Sequence, residues 1–148
     1  MRLFFYSIIV ITIISSSCKT ELKTEPFVLS KDTKGIGPID QLTLPIISDS
    51  IMKLGLQLFT DECSQCHTME YKNTGPDISD ILAIRKPEWV MNFLLNKEEM
   101  LIKDSLANMT LEKYKDKCGA EITKENDAFK ILEYLRMYQI WLHEFNAL

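Results

Sequence analysis

From Asp49 onwards, apolar residues recur at the spacing of a helix face. The first run follows the i, i+3, i+4, i+7, i+8 pattern, with Ile51, Leu54, Gly55, Leu58 and Phe59. The last run repeats this spacing after Thr123, with Ala128, Ile131, Leu132, Leu135, Tyr138 and Leu142. Such positions share one face of an α-helix. Since no segment alternates at period two for long, the pattern predicts an all-α domain over residues 49–148.

Local signals place three more helical segments between these two runs. Each begins at an aspartate suited to capping or at a proline, which the first helical position tolerates. The expected segments are residues 77–84, 87–95 and 104–114. A loop from Asp61 to Pro76 follows the first helix. The domain is therefore expected to contain about five short helices.

The amino terminus has a pattern of its own. Arg2 precedes an apolar stretch from Leu3 to Ile14, which is shorter than the ~20 residues of a spanning helix, and small serines follow it. This pattern predicts a signal peptide over residues 1–17. Because Cys18 comes directly after the serines, the segment resembles a bacterial lipoprotein signal, in which that cysteine carries lipid. The alternative is an ordinary secretory signal with a nearby cysteine.

Residues 18–48 are expected to form the lipid anchor and a flexible linker. They are rich in Lys, Thr, Glu and Ser, with prolines and glycines and no helical period. A flexible coil of thirty residues has an r.m.s. reach of about 30 Å. Residues 35–39 are a candidate for packing on the domain. The protein is expected to be exported and anchored to a bacterial envelope membrane, with its domain in the periplasm or at the surface.

The charge distribution excludes one class of partner. Without Arg2 the chain has 16 basic and 21 acidic residues, a net charge of −5, and no basic run. Nucleic-acid binding needs clustered Lys or Arg to neutralise phosphates, so none is expected. A protein of this charge suits a partner with a positive docking face.

The motif C-x-x-C-H occupies residues 63–67. Thiols three positions apart reach the two vinyl groups of one porphyrin, and the histidine that follows points its imidazole at the iron. A thioredoxin-like dithiol would need a βαβ context, and a zinc site would need two further ligands, for which only Cys118 and His143 remain. The motif therefore predicts one covalent haem c on Cys63 and Cys66, with His67 as an iron ligand.

The segment from about residue 51 to 138 resembles class I cytochrome c. In that family an amino-terminal helix carries Gly-x-x-x-aromatic-x-x-x-Cys, which here is Gly55, Phe59 and Cys63. The family crosses this helix against a last helix that bears an aromatic residue, here Tyr134. The resemblance implies that the two helices approach closely at Gly55.

The same resemblance implies further haem-binding residues. Gly75-Pro76 follows the motif, and the Pro76 carbonyl would accept the second imidazole N–H of His67; its alternative is a simple turn. Arg85 and Trp89 fall where many bacterial members place a basic residue and a tryptophan near the haem propionates. The alternative is a solvated Arg85 and a core Trp89.

The sequence departs from the family at the sixth iron ligand. The family's axial Met lies some sixteen or seventeen residues before the last-helix aromatic, and here Cys118 lies sixteen before Tyr134 with no Met between. Cys118 is thus the first candidate. Met109, 25 residues before Tyr134, is the second, although Met is also a common core residue. The third is a site that is open or weakly filled by water or Lys117.

The expected function is transfer of single electrons between membrane donors and an oxidoreductase, without bond-making chemistry. Resemblance to lipoprotein cytochromes that accompany terminal reductases suggests such a reductase as partner, nitrous oxide reductase being one example. Two alternatives use a Cys118-ligated or open sixth site. One is a small haem enzyme for sulfur-compound oxidation or peroxide reduction, and the other is a redox or gas sensor.

Overall fold

Helices are the regular structure of the part of the chain that the computed structural model describes, residues 33–69, 71, 73–114 and 122–146. They are α1 (Asp49–Glu62), α2 (Ile81–Ile84), α3 (Pro87–Leu95), α4 (Lys97–Lys103), α5 (Ser105–Tyr114) and α6 (Glu125–Asn146). The predicted all-α fold is confirmed. Over the same residues, none of the helices combines the length and apolar character needed to cross a membrane.

The predicted helix starts agree with the structure at two positions. Pro87 occupies the first turn of α3, which ends at Leu95 as expected. The Asp104 carboxylate accepts the backbone N–H groups of Leu106 and Ala107 at 3.1 and 2.9 Å, and so caps α5. These aspartate and proline signals act locally, which is why the sequence alone was sufficient.

The sequence patterns did not predict helix α4. Its seven residues bury only Met100, and its apolar residues form a short run rather than a periodic stripe. Such a short run gives no clear helical period. Packing against α5 and α3 stabilises this helix, since short helices are marginal by themselves.

Helices α1 and α6 cross at Gly55. A Cβ atom added there would clash with the Lys130 backbone carbonyl and lie 3.1 Å from the Tyr134 Cβ. One turn further along α1, the Phe59 and Tyr134 rings pack with their centroids 5.2 Å apart. Only glycine permits this approach of the two backbones. The close crossing that the resemblance implied is present.

The segment before α1 packs on the helices through buried Asn92 of α3. Its side-chain amide donates to the carbonyls of Lys34 and Ile39, each at 2.8 Å, and its carbonyl accepts the Ile39 N–H at 2.8 Å. Asn96 donates to the Ile36 carbonyl at 3.1 Å. We call residues 33–45 the strap.

The strap changes the predicted division of the chain. Residues 33–48 were assigned to the linker, but Ile39 is buried and belongs to the core. We therefore extend the folded unit from Asp49 back to Thr33. The predicted signal peptide at 1–17, the lipid site Cys18 and the rest of the linker up to residue 32 lie outside the described residues.

Candidate functional site

A cavity of about 430 Å³ opens between α1, the loop after it, α3, α5 and α6. Its size falls within the roughly 300–1,000 Å³ typical of cofactor pockets. Apolar and aromatic side chains make up much of the wall. The lining includes Phe59, Cys63, His67, Gly75, Pro76, Ile78, Arg85, Trp89, Met109, Ile131 and Leu135. The structure thus brings most of the predicted haem-binding residues to one cavity.

The C-x-x-C-H motif forms a tight turn at the end of α1. The Cys63 carbonyl accepts the backbone N–H of Cys66 at 3.1 Å and that of His67 at 2.9 Å. These bonds continue the helical winding for one turn. As a result, the Cys63 and His67 side chains both reach the cavity wall.

The His67 ring is held by the predicted hydrogen bond to Pro76. Nδ1 and the Pro76 carbonyl oxygen are 2.9 Å apart, and since a carbonyl can only accept, Nδ1 carries the proton and donates. In this tautomer the Nε2 lone pair is available to a metal. A hydrogen bond of this kind fixes the ring orientation and raises ligand basicity.

Gly75 makes room for that ring. A Cβ atom at this position would lie 2.6 Å from His67 Cε1 and 2.8 Å from Nδ1. The Gly75 N–H donates to the Cys66 carbonyl at 2.8 Å, which ties the loop back to the motif. Gly75-Pro76 is therefore more than a turn, because both residues determine where the imidazole lies.

The two motif cysteines differ in their surroundings. Burial raises the pKa of the Cys63 thiol to about 11; Glu62 adds to this rise and Lys97 opposes it. A neutral thiol is a weak nucleophile, so Cys63 by itself is poorly reactive. Cys66, three residues further on, is only partly buried.

Arg85 places an unsatisfied guanidinium nitrogen beside the cavity. Its Nη1 donates to the Ile84 carbonyl at 2.9 Å, and its guanidinium carbon lies 5.2 Å from the Trp89 ring centroid. Its Nε is buried and has no hydrogen-bond partner in the described part of the chain. Burial lowers the Arg85 pKa, and Asp104 opposes that shift. A buried N–H group normally donates a hydrogen bond to an acceptor.

Trp89 is fixed by a hydrogen bond to Asp104. Its indole N–H donates to the Asp104 carboxylate at 3.3 Å. The Trp89 ring borders the cavity and stacks on Phe93, with centroids 5.2 Å apart. Trp89 thus shapes the wall, and Asp104, predicted only as a helix cap, also fixes the indole.

Of the residues proposed as the sixth iron ligand, only Met109 lies in the described part of the chain. Met109 lies in the cavity wall and is 44% exposed. Cys118 and Lys117 lie outside the described residues. His143 is exposed on the surface of α6, with Nε2 3.4 Å from an Asp80 carboxylate oxygen.

These residues together fit a haem. An apolar cavity excludes water from a porphyrin, and His67 offers one nitrogen ligand with a fixed orientation. Cys63 is placed for a thioether bond. A haem propionate would supply the acceptor that Arg85 Nε lacks.

Comparisons with known proteins agree with this geometry. The family model described as Cytochrome c matches residues 52–139. A search of curated proteins finds no match. Among solved structures, cytochrome c from Rhodothermus marinus is 30% identical, with a TM-score of 0.67 over 70% of this chain and 90% of that one. An engineered form of the Rhodothermus marinus protein, bound to a carbene intermediate, is also 30% identical, with a TM-score of 0.66 over 70% and 91% of the two chains.

The family model covers more than half of the chain and includes the C-x-x-C-H motif, the glycine-proline pair and the helix crossing. The same region contains the cavity and the His67 ring that is hydrogen-bonded to Pro76. The chain therefore belongs to the cytochrome c family, as a haem-binding electron-transfer protein whose cofactor is covalent haem c.

Proposed function

We propose that this protein is a monohaem carrier outside the cytoplasm that moves single electrons between membrane donors and an oxidoreductase. The observation that carries the proposal is the His67–Pro76 hydrogen bond in the wall of an apolar cavity. That bond prepares one nitrogen to hold iron in a fixed place.

Each residue of the site has a defined task in this proposal. His67 Nε2 would hold the iron, and thioether bonds from Cys63 and Cys66 would fix the macrocycle. Arg85 Nε would donate to a propionate and balance its charge. The bound haem supplies a one-electron change of oxidation state.

The cavity walls suit electron transfer more than bond-making chemistry. Phe59, Ile131 and Leu135 line the cavity and are buried. Apolar walls exclude water and keep the surroundings similar in both oxidation states, so little rearrangement accompanies the gain or loss of an electron. The Pro76 hydrogen bond restrains His67 in the same way.

The location and partners follow from the amino terminus and the charge. The lipoprotein-like sequence before Cys18 supports anchoring to a bacterial envelope membrane, where the carrier would meet its donors. The net charge of −5 after removal of residues 1–17 favours an oxidoreductase with a positive docking face. A terminal reductase such as nitrous oxide reductase is the proposed type of partner.

Redox titration tests this function. Protein matured with a cytochrome c assembly system should retain haem through acid-acetone extraction and titrate reversibly as a one-electron couple. In steady-state assays with peroxide or sulfur compounds, it should show no turnover above that of free haem. Haem that extracts freely would contradict thioether attachment, and rapid turnover would favour the enzyme alternative.

A further inference from the structure

We propose that a row of aromatic side chains, one on α1 and four on α6, is an electron-transfer route from the haem cavity to the exposed end of α6. The aromatic row consists of Phe59, Tyr134, Tyr138, Trp141 and Phe145. This inference rests on the proposed carrier function. It adds a specific route and an exit point to that function.

The rings of the aromatic row are in continuous contact. Phe59 lines the cavity, so the row begins beside the haem site. Successive ring centroids are 5.2, 6.3, 5.7 and 5.5 Å apart from Phe59 to Phe145. All four distances fall in the roughly 4.5–7 Å range of interacting aromatic pairs. The row therefore bridges the interior and the surface without a gap.

Packing accounts for the inner rings but not for the outer ones. Phe59 is 4% exposed and packs in the crossing of α1 and α6. Trp141 and Phe145 are 50% and 64% exposed, yet they continue the same i, i+3, i+4 spacing along α6. An aromatic stripe that extends beyond the buried part of a helix needs a reason other than core formation.

Tyr138 ties the row to the loop that follows the haem motif. Its hydroxyl donates to the Met69 carbonyl at 3.0 Å, two residues after His67. This bond fixes the ring in the middle of the row. A ring that keeps its orientation also keeps its contacts with Tyr134 and Trp141, on which the electronic coupling depends.

The transfer involves a single electron and no bond. The electron leaves the reduced haem and reaches an acceptor at the end of α6, while the rings remain unoxidised. In this proposal the contacting rings provide the electronic coupling between the haem and that acceptor. The rate along the row should therefore depend on the rings themselves and little on other side chains of the same helix.

Photoinduced electron transfer tests this route. The chain has two histidines, and His143 is 63% exposed beside the end of the aromatic row, whereas His67 belongs to the haem site. A ruthenium polypyridyl complex is attached to His143 in the haem-loaded protein. A laser flash excites the Ru(II) complex, and an external quencher takes one electron from it to leave Ru(III). Ru(III) then takes one electron from the reduced haem and returns to Ru(II). Transient absorbance of the haem gives the rate.

Four variants separate the route from general structural effects. Trp141→Leu and Tyr138→Leu remove one ring each and should slow the transfer at least several-fold. Tyr138→Phe keeps the ring but loses the bond to Met69, and Ile140→Leu changes an exposed side chain outside the row; both should keep the wild-type rate. Melting temperature and reduction potential are measured for each variant, so that rates are compared at equal driving force.

The outcomes distinguish the route from the carrier function. Wild-type rates in Trp141→Leu and Tyr138→Leu would overturn the route and leave the carrier function intact. A slowed Tyr138→Phe with an unchanged Trp141→Leu would also overturn it, because the loop anchor and not the ring would then matter. A protein without reducible haem would overturn both proposals together.

Discussion

At the scale of single residues, the position of one imidazole depends on its two neighbours in the following loop. The Pro76 carbonyl accepts from His67 Nδ1 at 2.9 Å, and Gly75 leaves the space that the ring occupies. Neither Gly75 nor Pro76 has a side chain that could bind iron or react. Together they decide whether Nε2 is presented to the cavity.

Substitution of Gly75 tests this arrangement. In Gly75→Ala the new Cβ would press on the His67 ring, 2.6 Å from Cε1, so the imidazole must shift or the loop must move. Overpacking of this kind typically costs about 1–3 kcal/mol. We expect a lower melting temperature and an altered haem spectrum. Thr74→Ala, at an exposed position of the same loop, is the control and should change neither.

The sixth ligand is the second prediction at this scale. The spacing from Tyr134 favours Cys118, and a thiolate ligand stabilises ferric iron whereas a thioether raises the potential. Cys118→Met should therefore raise the reduction potential and introduce the near-infrared band of a His/Met haem. Cys118→Ala should open the site to added ligands.

Low-temperature EPR of the oxidised wild-type protein provides the discriminating measurement. It separates His/thiolate, His/Met and five-coordinate iron. Met109, which lies in the cavity wall, is the competing ligand. If the wild-type protein gives a His/Met signal and Met109→Ala abolishes it, Met109 is the sixth ligand and Cys118 does not bind the iron.

At the scale of helices, the fold depends on the crossing of α1 and α6. Gly55 lets the two backbones meet, and Phe59 and Tyr134 interlock beside it. Because Phe59 also lines the cavity, the same crossing builds one wall of the haem site. Stability and cofactor binding are thus coupled through this contact.

Gly55→Leu should force these helices apart. A leucine side chain meets the Lys130 carbonyl, which is backbone and cannot rotate away. We expect a loss of stability of about 1–3 kcal/mol or more, measured by chemical denaturation. Gln57→Leu adds the same side chain at an exposed position of α1 and should have little effect. Equal stability of the two variants would contradict the crossing.

At the scale of the whole molecule, the strap joins the amino-terminal segment to the helical domain. Asn92 binds Lys34 and Ile39, so the folded unit begins by Thr33. If Cys18 carries lipid, only the short segment before the strap separates the anchor from the domain. The haem domain would then stay close to the membrane surface.

Membrane fractionation tests the anchor. Cys18→Ser removes the only thiol next to the predicted cleavage site, so the protein should move to the soluble fraction. Stable anchoring requires two or more acyl chains, since one gives only marginal binding. Wild-type protein should resist a salt wash. A serine variant that still resists the same wash is held by something other than lipid.

Local signals in the sequence predicted the starts of α3 and α5, and the C-x-x-C-H motif predicted Cys63, Cys66 and His67 as haem-binding residues. Pro87 and Asp104 begin α3 and α5 as predicted, because the fixed φ of proline and a capping carboxylate act on adjacent residues. His67 and Pro76 are nine residues apart, so their hydrogen bond also lies within reach of a local pattern. The C-x-x-C-H motif predicted covalent haem c, and the cytochrome c fold was implied by the family resemblance of Gly55, Phe59, Cys63 and Tyr134.

Only the tertiary structure decided the contacts between distant residues. The strap depends on Asn92 bonds to residues 53 and 58 positions away, which no local pattern encodes. The indole of Trp89 donates to Asp104, fifteen residues away, because the folding of α4 brings the two together. The exposure of the outer end of the aromatic row and the burial of Arg85 Nε likewise depend on how the helices pack around the cavity.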